Sequence, residues 1–212
     1  MTTIYDDAER TRLVRESRDL YRSIWPAMEV GGVRDTHACL FHAVALQGLL
    51  YRDHGVRAML QAGSCQWPML TPEEDDGVSP THFSYEWEGL RDERTSFFFR
   101  SGVLPELHVW LALTPRDERN PPGLIQQDTI IDPTTGTWPE RARFGGYAWS
   151  TPKPPEFLWH TAKELDSLIE EKFVLGINYR AEMEACVVAD KLASREIYPK
   201  CARALRFAPR KD

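Results

Sequence analysis

The apolar residues of the chain change period along its length. Between residues 6 and 25, Leu13, Leu20, Tyr21 and Ile24 recur near one face among many charges. That spacing predicts an amphipathic helix. Pro26 and the pair Gly31, Gly32 end it. Residues 37–54 differ: Leu40, Phe41, Ala43, Val44, Ala45, Leu46, Leu49, Leu50 and Tyr51 leave almost no polar face. A helix apolar nearly all round belongs inside a core. Asp35 or Thr36 suits its N-cap and Gly55 its end.

The period then shortens. Val56 to Ala62 reads as a short strand leading into Gly63, and Phe83, Tyr85 and Trp87 alternate within His82 to Glu88. Leu107 to Leu113 and Asp128 to Ile131 complete the strands, the first ending at Thr114, Pro115 and the second at Asp132, Pro133. The polar, Pro-rich stretches 68–81 and 115–127 read as loops, and 145–160 as a Trp- and Pro-rich connector. Leu165, Leu168, Ile169 and Phe173 predict a helix over about 161–175, and a further helix covers 180–196, before Pro199. Helix, buried helix, strands, then helices is an α+β order with an antiparallel sheet. The chain is expected to be one domain over 1–212, with a core at 30–140 and a C-terminal connector and helical extension at 145–212.

At 212 residues and 42% hydrophobic content, the chain is long enough for one sizeable core. Its net charge of −6 argues against a broad surface for nucleic acid. Arg203, Arg206, Arg210 and Lys211 then read as a solvated basic tail, and Glu73, Glu74, Asp75, Asp76 as a solvated loop. There is no run of about 18 apolar residues, so no membrane partner is expected. The first residues lack the basic start and apolar stretch of a secretory signal. Cys39, Cys65, Cys186 and Cys201 are scattered without a CxxC pair, which favours free thiols and a cytoplasmic location.

Three residues carry candidate chemistry. Cys39 falls in the first turn of the buried helix, where unpaired N–H groups and the helix dipole favour a thiolate. His108 opens a strand between apolar neighbours, where an imidazole can take a thiol proton and return it to a leaving amine. Asp132 ends the following strand, where its carboxylate can hold that imidazole in one tautomer. Singly, each has a structural reading as well: a small core residue, a hydrogen-bonded strand histidine and an Asp-Pro turn. Their order is the more specific signal.

Around these residues the chain resembles the transglutaminase-like superfamily of papain-like enzymes. The Cys39 helix runs through Leu49, Leu50, Tyr51, Arg52 to His54, Gly55, Val56, Arg57, Ala58, similar to the family's nucleophile helix and the turn after it. His108, Val109, Trp110 is similar to the family's His-Ala-Trp at the base position, and Asp132, Pro133, Thr134 to the end of its acid strand. The resemblance spans about residues 36–136. It departs just before the nucleophile, where the family often has Gly and this chain has Ala38 preceded by His37. The insert at 68–81 and the stretch to His108 also exceed a minimal core.

The resemblance implies cysteine-dependent acyl chemistry on an amide, with Cys39 as nucleophile, His108 as base, Asp132 as orienter, a thioester intermediate and a peptide or protein substrate. No cofactor or metal is implied. Hydrolysis and transfer to an amine both remain open, as do a non-catalytic binding or scaffolding module of the same fold and an effector that modifies a glutamine on a target protein. The Cys39 N–H is a natural oxyanion donor. Gln47 lies too far down the helix for a second, and Trp25 is a guess. His37, Cys39 and His42 do not have a standard zinc spacing. His82 is the rival base, without a following Trp or acid strand. Trp67, Trp138, Trp149 and Trp159 fit core packing better than cleft walls.

Overall fold

A computed structural model describes residues 6–24, 29–30, 33–34, 38–70, 74, 77, 80–100, 107–120, 127–167 and 177–207. Helix α1, Asp7–Ile24, buries Leu13, Val14, Ser17 and Tyr21 against the rest of the protein. The two-residue strands β1 (Glu29–Val30) and β2 (Val33–Arg34) form a separate antiparallel pair. Helix α2, Ala38–His54, buries most of its residues, as its nearly continuous apolar surface requires. Each of its fully buried leucines contributes about 1.5–3 kcal/mol of apolar transfer. It ends at Gly55, whose φ of 67° suits the turn out of a helix. The expected caps Asp35 and Thr36, and the stops Pro26, Gly31 and Gly32, lie outside the described residues.

The main sheet is antiparallel in each of its pairings. Its strands are β3 (Met59–Pro68), β4 (His82–Tyr85), β5 (His108–Leu113), β6 (Thr129–Asp132), β7 (Leu158–Thr161) and β8 (Asn178–Ala181). The order is β4-β3-β5-β6-β7, with β8 also paired to β3. Gly63 pairs with both His108 and Ala181, so β5 and β8 lie on opposite edges of β3. Cys65 pairs with both Tyr85 and Tyr179, so β4 lies on the edge that β5 uses, just beyond His108. A Cβ at Gly63 would sit 2.2 Å from the Arg180 carbonyl oxygen, so only glycine lets β8 approach there.

Several expectations are corrected. The strand after α2 starts at Met59, not Val56, and continues through Gly63 to Pro68, because β4 and β8 pair with its second half. The strand at His82 stops at Tyr85, where that pairing ends. The connector at 145–160 contains the start of β7, which completes the sheet beside β6. Residues 178–181, taken partly as helix, form β8 because β3 offers an open edge. Helices α3 (Glu93–Arg100) and α4 (Trp138–Phe144) lacked long apolar periods and were not expected. The helix at 161–175 is described only as α5, Ala162–Ser167.

The last helix does not stop before Pro199. Helix α6 (Met183–Leu192) passes through a π-helical turn (Ala193–Ile197) into α7 (Tyr198–Phe207). Pro199 sits second in α7; the wider turn before it accommodates a residue that lacks an N–H. No described helix is long and apolar enough to cross a membrane.

Two apolar clusters fill the protein. The larger joins α1, α2, α6 and α7 to Val109, Leu111, Leu113 and Ile131 of the sheet. The smaller gathers Cys65, Trp67, Trp138, Leu158 and Leu165, with Phe83, Tyr85, Trp149 and Tyr179 packed against it. Trp67, Trp138 and Trp159 are buried, the first two in the smaller cluster and Trp159 in the larger, so these three are packing residues.

Candidate functional site

The second residue of α2 is Cys39. Backbone N–H groups in the first turn of a helix have no partner within it, so this end of α2 favours negative charge. Cys39 is 7% exposed and lines a cavity of about 220 Å³. It lies at the border of the two clusters: it belongs to the larger, while the rings around His108 belong to the smaller.

His108 opens β5 and is completely buried. Its place follows from register. Leu111 pairs with Ile131, and one step further Asp132 lies opposite Trp110. His108 and Asp132 are then diagonal neighbours on one face, within reach of side-chain bonding. His108 Nε2–H donates to Asp132 Oδ2 at 2.5 Å. The other nitrogen, Nδ1, has no hydrogen-bond partner among the described residues, although Cys39 contributes to the raised pKa of the ring. Loose nucleophile–base contacts are ordinary in unliganded sites.

Asp132 is fully buried and held on every side. Oδ1 accepts the Thr134 N–H at 2.9 Å and its hydroxyl at 2.7 Å. Oδ2 accepts from the Tyr179 hydroxyl at 2.8 Å as well as from His108. Burial opposes charge on the carboxyl, but the His108 charge and these donors outweigh it and hold its pKa below the usual value. Burial likewise opposes charge on His108, and there too Asp132, aided by Cys39, wins and raises the pKa. The pair therefore rests as imidazolium and carboxylate.

Aromatic rings pack around the imidazole. Tyr85 stacks on it at 4.9 Å, and Trp138 meets it edge-on at 5.4 Å. Tyr85 is brought there by its pairing with Cys65, two residues along β3 from the Gly63–His108 pair. The Arg141 guanidinium lies 5.1 Å from the centre of the Tyr85 ring and shares the cavity with Cys39. Burial lowers the Arg141 pKa.

A strap at 155–156 closes the wall. Thr135 donates its hydroxyl to the Pro155 carbonyl at 2.7 Å, and the Gly136 N–H donates to the Glu156 carbonyl at 3.2 Å. Arg18 of α1 donates to the Pro133 and Glu156 carbonyls and forms an ion pair with the Glu156 carboxylate.

The other candidates are placed differently. His42 lines the cavity too, packs 4.6 Å from Tyr21, and has its pKa lowered to about 3, chiefly by burial. His82 sits in β4, with Nδ1 3.2 Å from the Thr81 hydroxyl and its Cα pairing at Pro68. Gln47 donates to the Ala58 carbonyl at 2.8 Å, a tie between α2 and the chain before β3. His37 and Trp25 lie outside the described residues. Among the described residues, no group of three or more His, Cys, Asp or Glu is placed to hold a metal ion. All four cysteines are free.

Sequence reasoning missed Tyr85, Tyr179 and Arg141. The first two reach the site through pairing with β3, and Arg141 rides on a helix too short to show a period. The Asp132-Pro133-Thr134 motif was the one local signal, since Thr134 bonds back to Asp132. In comparisons with protein-family models, curated proteins and solved structures, the chain matches none.

Proposed function

We propose that the chain is a cysteine-dependent enzyme of transglutaminase-like type that attacks an amide through a thioester. The observation that carries this reading is the buried His108–Asp132 hydrogen bond, with Cys39 on a cavity wall at a helix start. In the reaction, Cys39 attacks as the thiolate paired with the His108 imidazolium, and Sγ forms a bond to the amide carbon. The tetrahedral oxyanion collapses, the C–N bond breaks, and the imidazolium protonates the departing amine. Water or an amine then attacks the thioester and gives its proton to His108, and Sγ leaves as the thiolate, which restores the imidazolium pair. Asp132 keeps the ring's tautomer and stabilises its charge throughout.

A peptide or protein substrate is favoured by the ground beyond the cavity. A second hollow of about 430 Å³ adjoins it at Gly136 and runs past Tyr147, Trp149 and Lys153. An extended chain suits two hollows that share a wall residue better than a small metabolite does. The alternative of a non-catalytic binding module draws on the complete burial of His108.

The test compares purified variants for peptide-amide hydrolysis, ammonia release from protein glutamine and amine incorporation. Cys39→Ala and His108→Ala should each remove the activity almost entirely, since the two act as one unit. Asp132→Asn should remove less, and His82→Ala little. Activity that survives His108→Ala but fails in His82→Ala would show that the base lies on the other strand. No activity, with Cys39 no more reactive than the other thiols, would leave the binding module.

A further inference from the structure

The charged residues on the wall of the Cys39 cavity are Arg18, Arg22, Arg141 and Glu156. Glu156 is already taken up by its ion pair with Arg18, and Arg22 makes an exposed ion pair with Asp19 at 3.4 Å, which leaves its charge only partly offset. The helix start at Ala38 and Cys39 opens on the same space and adds the positive end of the α2 dipole. His42 lines the cavity as well; it is 6% exposed, and its Nδ1 has no hydrogen-bond partner among the described residues. Burial, with Arg18 and Arg22 adding to it against the weaker pull of Asp132, keeps this imidazole neutral, so it offers one N–H. The protein as a whole carries −6, so this concentration of positive potential is local to the site.

We propose that this cavity selects an acyl donor bearing a carboxylate beside the reacting amide, with Arg141 and Arg22 supplying the charge and His42 a hydrogen bond. The inference rests on Cys39 being the nucleophile, as argued above. Arg141 shares the cavity wall with Cys39, and its guanidinium lies over the Tyr85 ring that stacks on His108. Its guanidinium is planar and pre-ordered against the Tyr85 ring, which suits a two-point grip on a carboxylate. The carboxylate can belong to an acidic side chain next to the amide or to the end of a peptide chain. Both present the same chemistry to the wall.

The test uses the charge of an alkylating reagent. Iodoacetate carries a carboxylate and iodoacetamide is its neutral analogue. The ratio of their rates at Cys39, read by peptide mapping, is compared with the same ratio for glutathione. A guanidinium several ångströms from the reacting carbon, in a partly dry site, should raise the relative ratio about tenfold. Arg141→Met should return it most of the way to the glutathione value, Arg22→Gln should lower it less, and Arg141→Lys should keep much of it. A ratio equal to that of glutathione, or a preference that survives loss of both arginines, overturns the proposal and leaves the nucleophile standing. If neither reagent modifies Cys39, the nucleophile assignment falls and takes this inference with it. Protection of Cys39 from iodoacetamide then separates the sources. N-acetylalanine protects if the wall holds a chain terminus, and N-acetylglutamate α-amide if it holds an acidic side chain. Protection by neither overturns the proposal.

Discussion

Tyr179 donates its hydroxyl to Oδ2 of Asp132, the same oxygen that takes the His108 Nε2–H. Burial, reinforced by the Asp132 charge, pushes the Tyr179 pKa well above its ordinary value, so the phenol keeps the proton it donates. The carboxylate is thus positioned from both edges of β3, through β5 and β6 on one side and β8 on the other.

Tyr179→Phe is expected to preserve the fold and cost about 1.5–3 kcal/mol of stability, the usual net worth of a bond to a charged group, since Asp132 keeps its other donors. Any amide-directed activity should fall, but less than in Asp132→Asn. Urea unfolding and kcat/KM read the two effects. A variant as active and as stable as the parent would mean that the tyrosine merely fills space.

The thiols should differ sharply in reactivity. Burial pushes the Cys65 thiol far up, with Asp132 and Cys39 adding to it, and burial alone lifts Cys201 to about 11. Cys39 has a cavity and an imidazolium beside it. Brief treatment with iodoacetamide near neutral pH should label Cys39 ahead of Cys65 and Cys201, and His108→Ala should slow that labelling by an order of magnitude or so. Equal labelling at these three positions, with no response to His108→Ala, would remove the case for a nucleophile.

Stability should depend on pH through the buried pair, with opposite signs at its two ends. His108 has a raised folded pKa, so its contribution is complete below about 6.5 and fades as pH climbs through the raised value. Asp132 has a lowered folded pKa, so its contribution is present above about 3.8 and is lost as pH falls through the lowered value. The stability difference between the parent and Asp132→Asn should therefore be largest between about pH 4 and 6.5 and shrink on the alkaline side. Denaturation at a series of pH values measures it. A difference that stays flat up to pH 9 would mean that the pair does not rest ionised.

Gly63→Ala should be among the most damaging single changes. Its Cβ would meet backbone atoms of β8 and of the residue after it, the Arg180 oxygen at 2.2 Å and the Glu182 nitrogen at 2.9 Å. Neither can swing aside as a side chain could. A loss of about 3 kcal/mol or more is expected, with Tyr179 carried away from Asp132 as β8 shifts. Thermal unfolding and the Tyr179→Phe comparison check it. A melting point within a degree or two of the parent would show that β8 is free to move.

The parts of this protein readable from its residues are those in which local pattern and final burial agree. The α2 helix was visible because its apolar surface is continuous, which suits only a buried helix. Strands β5 and β6 were visible within a residue or so at each end, because short apolar runs stop at Pro115 and Pro133. The order of Cys39, His108 and Asp132 could be read for the same reason: each sits at an end of one of those elements.

Other features depend on which strands meet, and that is not written in any one segment. Residues 178–181 have no strand period of their own, and become β8 because β3 has an unfilled edge at Gly63 to Gln66. Pairing with Cys65 then brings Tyr179 to Asp132 and Tyr85 to His108, although these residues are distant in sequence. The cavity wall arises in the same way, from Arg18 and Arg22 on α1, Arg141 on α4 and the start of α2. Period and composition act over a few residues, so they settle helix, strand and the placing of Cys39, His108 and Asp132 at element ends. Hydrogen-bond register and helix packing join residues a hundred positions apart, so only they determine what surrounds the sulfur and the imidazole.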